Sequence, residues 1–161
     1  MKPLYIFDLD GTLALINHRR HYVDGGRKDW RAFFAACVDD VPNTPVIQTL
    51  QALRRAGAEV WIWSGRSDEV RPQTVEWLCK YGCFGKSSGF LPAWPFGAPE
   101  RFLMRKAGDH RDDVALKREW LSLLDPPEFA RLTAVFDDRD RVVQMWRDAG
   151  IPCFQVASGA F

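Results

Sequence analysis

Three short apolar runs break directly into polar residues, and no other feature of the chain constrains its fold as tightly. LYIF leads into Asp8-Leu9-Asp10, WIW into Ser64-Gly65-Arg66, and AVF into Asp137-Asp138. Short continuous apolar runs of this kind read as strands buried on both faces. Helical segments lie between them. Asn43-Thr44-Pro45 opens one, with Thr44 as its cap and Pro45 in its first turn. Val46, Ile47, Leu50 and Leu53 give that helix one apolar face, and Gly57 closes it. Further helices are expected over 68–81, over 112–124 (stopped by Pro126-Pro127) and over 139–149, with further strands over 101–105 and 153–156. Residues 82–99 are rich in Gly, Pro and aromatics and read as loop. Residues 14–42 are mixed and polar, and read as a small cap insertion over the site rather than core. Alternating strands and helices specify the α/β class, a three-layer, Rossmann-like parallel sheet in one domain.

Ligands of such sheets bind beyond the carboxyl ends of the strands. The three runs therefore carry Asp8, Asp10, Ser64 and Asp137-Asp138 to the same edge. Carboxylates gathered there repel, by roughly 4 kcal/mol per pair at about 4 Å and an effective dielectric near 20. A divalent cation removes that cost. Hard oxygen ligands suit Mg²⁺, which keeps waters and joins one or two carboxylates to a substrate phosphate. Asp8, Asp10, Asp137 and Asp138 thus read as a magnesium site. Asp8 and Asp10 are two apart on an extended segment and share a face, and Gly11 permits a tight turn close to a phosphate.

DLDGT after an apolar strand resembles the first motif of the haloacid dehalogenase-like phosphatases. Ser64 after WIW, Lys117 in a helix and the acidic pair of AVFDD follow in that family's order. The resemblance implies that Asp8 is the nucleophile, forming an aspartyl-phosphate. It implies that Asp10 protonates the leaving oxygen and then activates water. Ser64 would hold phosphoryl oxygens, and Lys117 would neutralise charge on the phosphate and on Asp8. A narrower resemblance spans most of the chain. The tail FDDRDRVVQMWRDAGIPCFQVASGAF, the run RKAGDHRDDVALK, and Asn17 and Arg19 after DLDGTLA are similar to the 3′-phosphatase domain of phage-type polynucleotide kinase/phosphatase. That likeness implies Thr12, Arg19, Gly65, Arg66 and Arg105 as substrate contacts, Asp113 as a support for Lys117 one helical turn away, and a nucleotide or nucleic-acid 3′-phosphate end as substrate. It also allows a homodimer. The family's kinase domain is not expected: for GCFGKSS (Gly82 to Ser88) to be a phosphate-binding loop, glycine is needed at position 80, which is Lys80, and the stretch follows a helix instead of a strand.

Alternatives stay open at this level. The same residues would serve a phosphatase of a small metabolite, such as a 5′-nucleotide or sugar phosphate. A non-catalytic nucleic-acid end-binding module is a third reading, although a binder needs neither nucleophile nor acid. A net charge of +1 excludes a strongly basic, sequence-independent polymer binder. Cys79 and Cys83 have no partner pair at zinc spacing, so reduced thiols are expected. His18, His21 and His110 fit no metal motif and read as loop histidines. Trp61, Trp63, Trp77, Trp120 and Trp146 read as core, and Trp94 and Phe96 as loop packing. MKPLYIFDLD has no signal-peptide character, and no run approaches membrane-spanning length, so a cytoplasmic location is expected.

Overall fold

The computed structural model describes residues 1–84 and 102–159. In chain order its elements are β1 (Leu4–Phe7), β2 (Ala14–Leu15), α1 (Trp30–Ala35), β3 (Val41–Pro42), α2 (Thr44–Arg55), β4 (Glu59–Ser67), α3 (Arg71–Lys80), β5 (Phe102–Arg105), α4 (Asp113–Ser122), α5 (Pro126–Arg131), β6 (Leu132–Asp137), α6 (Asp140–Asp148) and β7 (Cys153–Gln155). Five strands form one parallel sheet in the order β5-β4-β1-β6-β7. The central strand is β1, and its last residue, Phe7, pairs with Ile62 of β4 and Phe136 of β6. Asp8 therefore leaves the sheet beside the end of β6 and level with Trp63 of β4.

Side-chain alternation along the strands builds a core on each face. Leu4, Ile6, Trp61, Trp63 and Val135 point to one face, where they pack with Leu116 and Trp120 of α4 and with Val142, Val143 and Trp146 of α6. Phe7, Val60 and Ile62 point to the other, against Ile47 and Leu50 of α2 and Trp77 and Leu78 of α3. This gives the three layers expected from the alternation. The five tryptophans read as core are all buried. Trp63 lies 6.4 Å from Trp61 and 5.8 Å from both Trp120 and Trp146, ring centre to ring centre. Each buried ring of this size removes 150–250 Å² from water, roughly 4–6 kcal/mol before ordering entropy. The four cysteines are free thiols, three of them buried. No helix among the described residues is long and apolar enough to cross a membrane.

Several boundaries differ from the sequence expectation. Strand β4 continues to Ser67, because Ser67 re-pairs with Arg105 across a register shift. The segment 68–81 divides into a 3-10 turn, Asp68–Val70, and α3. Thr44 is the first helical residue of α2, and Asn43 takes the cap position, its amide donating instead to the carbonyl of Thr12 at 2.8 Å. Pro126 begins a helix rather than only stopping one. Asp125 and Glu128 form a reciprocal capping box around it.

The segment 14–42 is closed at its base by β2 and β3, paired antiparallel. Between them lie α1 and two 3-10 turns, Asn17–Tyr22 and Ala36–Asp39. It was expected as a polar covering, yet it buries Arg19, Phe33, Cys37 and Asp40. Most of the expected 82–99 loop, including Trp94, Phe96 and the end of GCFGKSS, lies outside the described residues.

Candidate active site

The turn after β1 is wound around one carbonyl. Leu9 O accepts from the amides of Thr12, Leu13 and Ala14 at 3.2, 2.9 and 2.9 Å. Gly11 sits in it with φ +88°, and an added Cβ would lie 2.1 Å from Asp138 Oδ2. Only glycine serves both the backbone conformation and the close approach. The Asp8 amide donates to Phe136 O at 2.9 Å, which fixes the end of β1 beside the end of β6.

Asp8, Asp137 and Asp138 can each bring a carboxylate oxygen to within 4.8 Å of the others, and all three are buried. Lys117, from the middle of α4, reaches between them. Its Nζ donates to Asp8 Oδ1 at 2.6 Å and to Asp137 Oδ2 at 2.7 Å. Burial alone would lower the Lys117 pKa, but Asp137 and Asp8 more than reverse this and raise it, so the ammonium stays charged. Burial pushes the Asp8 carboxyl up; Lys117 opposes, and Asp137 and Asp138 add to the rise. Asp138 is pushed up to about 6 by burial and by Asp137 beside it. Its Oδ1 accepts from Thr12 Oγ1 at 3.3 Å.

These shifts describe an excess of negative charge. The Lys117 ammonium bonds two of the three carboxylates, and the Arg139 guanidinium, itself bonded to Asp113, acts on them through its charge, so the buried space stays rich in carboxylate oxygen. Hard oxygens gathered in this way fit Mg²⁺ or a similar divalent cation.

The carboxylate of Asp10, placed among the metal ligands by sequence, turns elsewhere. Its Oδ1 accepts from Arg19 Nη2 at 2.7 Å and from Arg66 Nε at 3.2 Å, with a close contact to Arg66 Nη2. Both arginines also hold Asp40: Arg19 Nε and Nη2 donate to it at 2.6 and 2.8 Å, and Arg66 Nη2 at 2.7 Å. Two anions and two cations close a neutral quartet. Burial would raise the Asp10 pKa, but Arg66 and Arg19 outweigh it and hold the carboxyl at about 2. Phe33 stacks 4.2 Å from the Arg19 guanidinium, and Thr74 Oγ1 accepts from Arg66 Nη1 at 3.2 Å. Arg19 and Arg66, expected as substrate contacts, are fully buried here and grip carboxylates.

Ser64 is buried one residue beyond the level of Asp8 on the adjacent strand, and its Oγ accepts from the Arg66 amide at 3.2 Å. Arg105 Nε donates to Gly65 O at 2.8 Å. Asp113 was expected to support Lys117. Its carboxylate instead bonds Arg105 and Arg139 directly and reaches Lys117 only through its charge. Asp40 and Arg139 were not identified from sequence. Arg139 carried one usable signal, its position immediately after the acidic pair.

Sheet, acidic triad and lysine together define a haloacid dehalogenase-like phosphatase. Two solved structures less than 25% identical share this fold: a class C acid phosphatase from Bacillus anthracis (16% identity, TM-score 0.60, 99% of this chain and 68% of that one) and CbbY from Rhodobacter sphaeroides with phosphate (19%, 0.56, 100% and 88%). The family model for the polynucleotide kinase PNKP phosphatase domain matches residues 2–161, and the chain belongs to that family. A chain in a Pnkp1/Rnl/Hen1 RNA repair complex is 33% identical, with a TM-score of 0.75. A second structure of a Pnkp1/Rnl/Hen1 complex gives 34% and 0.73. The matches cover 99% of this chain but 44% and 48% of those, so this chain spans less than half the length of either relative.

Proposed function

We propose that this phosphatase removes a 3′-phosphate from a nucleotide or polynucleotide end, with Mg²⁺, through an aspartyl-phosphate on Asp8. The observation that supports it most is the Lys117 clamp on Asp8, with Asp10 two residues on and held in a separate, neutral quartet. Two carboxylates in unlike environments can take unlike roles.

In the first step an Asp8 carboxylate oxygen attacks phosphorus, and the bond from phosphorus to the 3′-oxygen breaks. Asp10 gives that oxygen a proton. In the second step Asp10 takes a proton from water, the water oxygen attacks phosphorus, and the bond to Asp8 breaks, freeing inorganic phosphate. Asp10 must be protonated when the leaving group departs, although its two arginines hold it ionised here. An arriving phosphate dianion supplies the correction: negative charge beside a carboxylate, competing for its cations, raises its pKa. A divalent cation at Asp8, Asp137 and Asp138 would polarise the phosphoryl oxygens. Lys117 keeps Asp8 aligned and offsets charge built up in transfer. Ser64 would donate to a phosphoryl oxygen, while Thr12 and Gly65 shape the wall around it. Arg19 and Arg66 fix the Asp10 side chain.

The nucleic-acid end is supported by family membership and by the relative in the RNA repair complex. By the same resemblance two copies would pair, which sedimentation would read. The test is phosphate release with Mg²⁺ from a 3′-phosphorylated oligonucleotide and its 5′ isomer, and from a 3′-mononucleotide and its 5′ isomer, with Asp8→Asn as blank. Preference for both 3′ substrates is expected. Preference for 5′-mononucleotides would move the substrate to a small metabolite.

A further inference from the structure

We infer that the exposed face of the insertion, centred on Trp30, is a stacking platform for a base of a single-stranded polynucleotide whose 3′ end lies at Asp8. The inference rests on the polynucleotide-end reading above and names where that strand is held.

Trp30 departs from the other tryptophans. The described ones elsewhere in the chain are at most 8% exposed, whereas Trp30 is 47% exposed. It is not needed to close a core, because Phe33 fills that place and is itself buried. Trp30 stands nearly perpendicular to Phe33, with ring centres 5.7 Å apart, and lies along Phe34 at 6.0 Å. These contacts seat the indole against two phenyl rings and leave about half of the residue's surface in water.

The charge around it is cationic. Lys28 Nζ lies 5.6 Å from the indole ring centre, and Arg27, Lys28 and Arg31 are exposed. The nearby acids are engaged: Asp29 caps α1 through the Ala32 amide, and Asp24 pairs with Arg20. A half-exposed aromatic ring with lysine and arginine at its rim is how proteins hold single strands. The base stacks, the cations follow the phosphates, and sequence matters little. A protein partner's apolar face would find too much unmatched positive charge at this rim.

The position fits. Phe33 stacks under the Arg19 guanidinium at 4.2 Å, and Arg19 donates to Asp10 at 2.7 Å. Two side chains, Phe33 and Arg19, thus link the indole to Asp10 in the catalytic turn.

The experiment measures kinetics of wild type, Trp30→Ala and Trp30→Phe with Mg²⁺ on a 3′-phosphorylated oligonucleotide and on p-nitrophenyl phosphate, which has no base to stack. Trp30→Ala should raise KM for the oligonucleotide about tenfold, the lower part of the range for one stacked base. Loss should be confined to that KM, and Trp30→Phe should recover most of it. Equal KM values for wild type and Trp30→Ala would overturn the inference. So would a parallel loss on p-nitrophenyl phosphate, which would make Trp30 a structural brace for Arg19. If wild type released no phosphate from the oligonucleotide, the function reading would fail. Anisotropy of a labelled single-stranded oligonucleotide would then still decide the platform: weaker binding by Trp30→Ala supports it, and unchanged binding overturns it.

Discussion

Lys117→Met isolates the charge balance of the site. Methionine nearly matches lysine in volume, so packing changes little, while the contacts to Asp8 and Asp137 lose their cation. Breaking a buried pair by removing one partner costs about 3–5 kcal/mol, because the other partner stays uncompensated. For a domain of this size each kcal/mol moves Tm by about 2–4 °C, so a fall of about 6–20 °C is expected near neutral pH without metal. The deficit should depend on pH. The folded-state pKa of Asp8 already lies above its unfolded value, with burial the main cause. A group shifted up contributes stability below its unfolded pKa and loses it as pH rises through the folded value. Without Lys117 the folded value climbs further. The deficit should therefore be small at about pH 4 and grow toward neutrality. A divalent cation should recover part of it, since it binds only the folded site. Calorimetry at several pH values, with and without Mg²⁺, reads all three effects. A deficit of the same size at about pH 4 and pH 8 would show a packing defect and refute the charge argument.

Three other outcomes follow from the same geometry. Asp138, raised to about 6 from an ordinary 3.8, should make the metal-free protein lose stability as pH rises from about 4 to 6, and Mg²⁺ affinity measured by calorimetric titration should strengthen across pH 6 as the proton leaves. Gly11→Ala places a Cβ 2.1 Å from the Asp138 carboxylate at a positive φ, so phosphatase activity should fall at least tenfold with helical circular dichroism retained. In the first turnover, read by rapid quench, Asp10→Asn should slow release of a ribose hydroxyl far more than release of p-nitrophenolate, which needs no proton; equal losses in that first turnover would reduce Asp10 to a structural anchor.

The parts of the molecule readable from sequence are those whose cause is local. LYIF, VWIW and AVF reveal their strands because an apolar run ends in a carboxylate or a serine, and their shared edge follows from topology. The capping box of α5 is local too and Asp125-Pro126-Pro127-Glu128 carries its full signature, although from sequence the prolines read only as the stop of the preceding helix. The quartet was not readable. Asp40 bonds Arg19 and Arg66, which lie 21 and 26 residues away in sequence, from a stretch with no periodicity. The turn of Asp10 away from Asp138 has the same origin, because two buried guanidiniums attract its carboxylate while the acidic triad repels it. Asp113 shows a third limit. The family likeness offers it as a support for Lys117, but the arginines of β5 and of the loop after β6 bond its carboxylate.

The central claim is a phosphoryl group carried on Asp8. Asp10→Asn protein would be mixed with p-nitrophenyl phosphate and Mg²⁺ and quenched in acid within a turnover. The acyl phosphate would then be reduced with borohydride, and the peptides mapped by mass. Conversion of Asp8 to homoserine, dependent on substrate and Mg²⁺ and absent in Asp8→Asn, is the expected result. Continued turnover by Asp8→Asn, with Asp8 unmodified in the quenched enzyme, would contradict it.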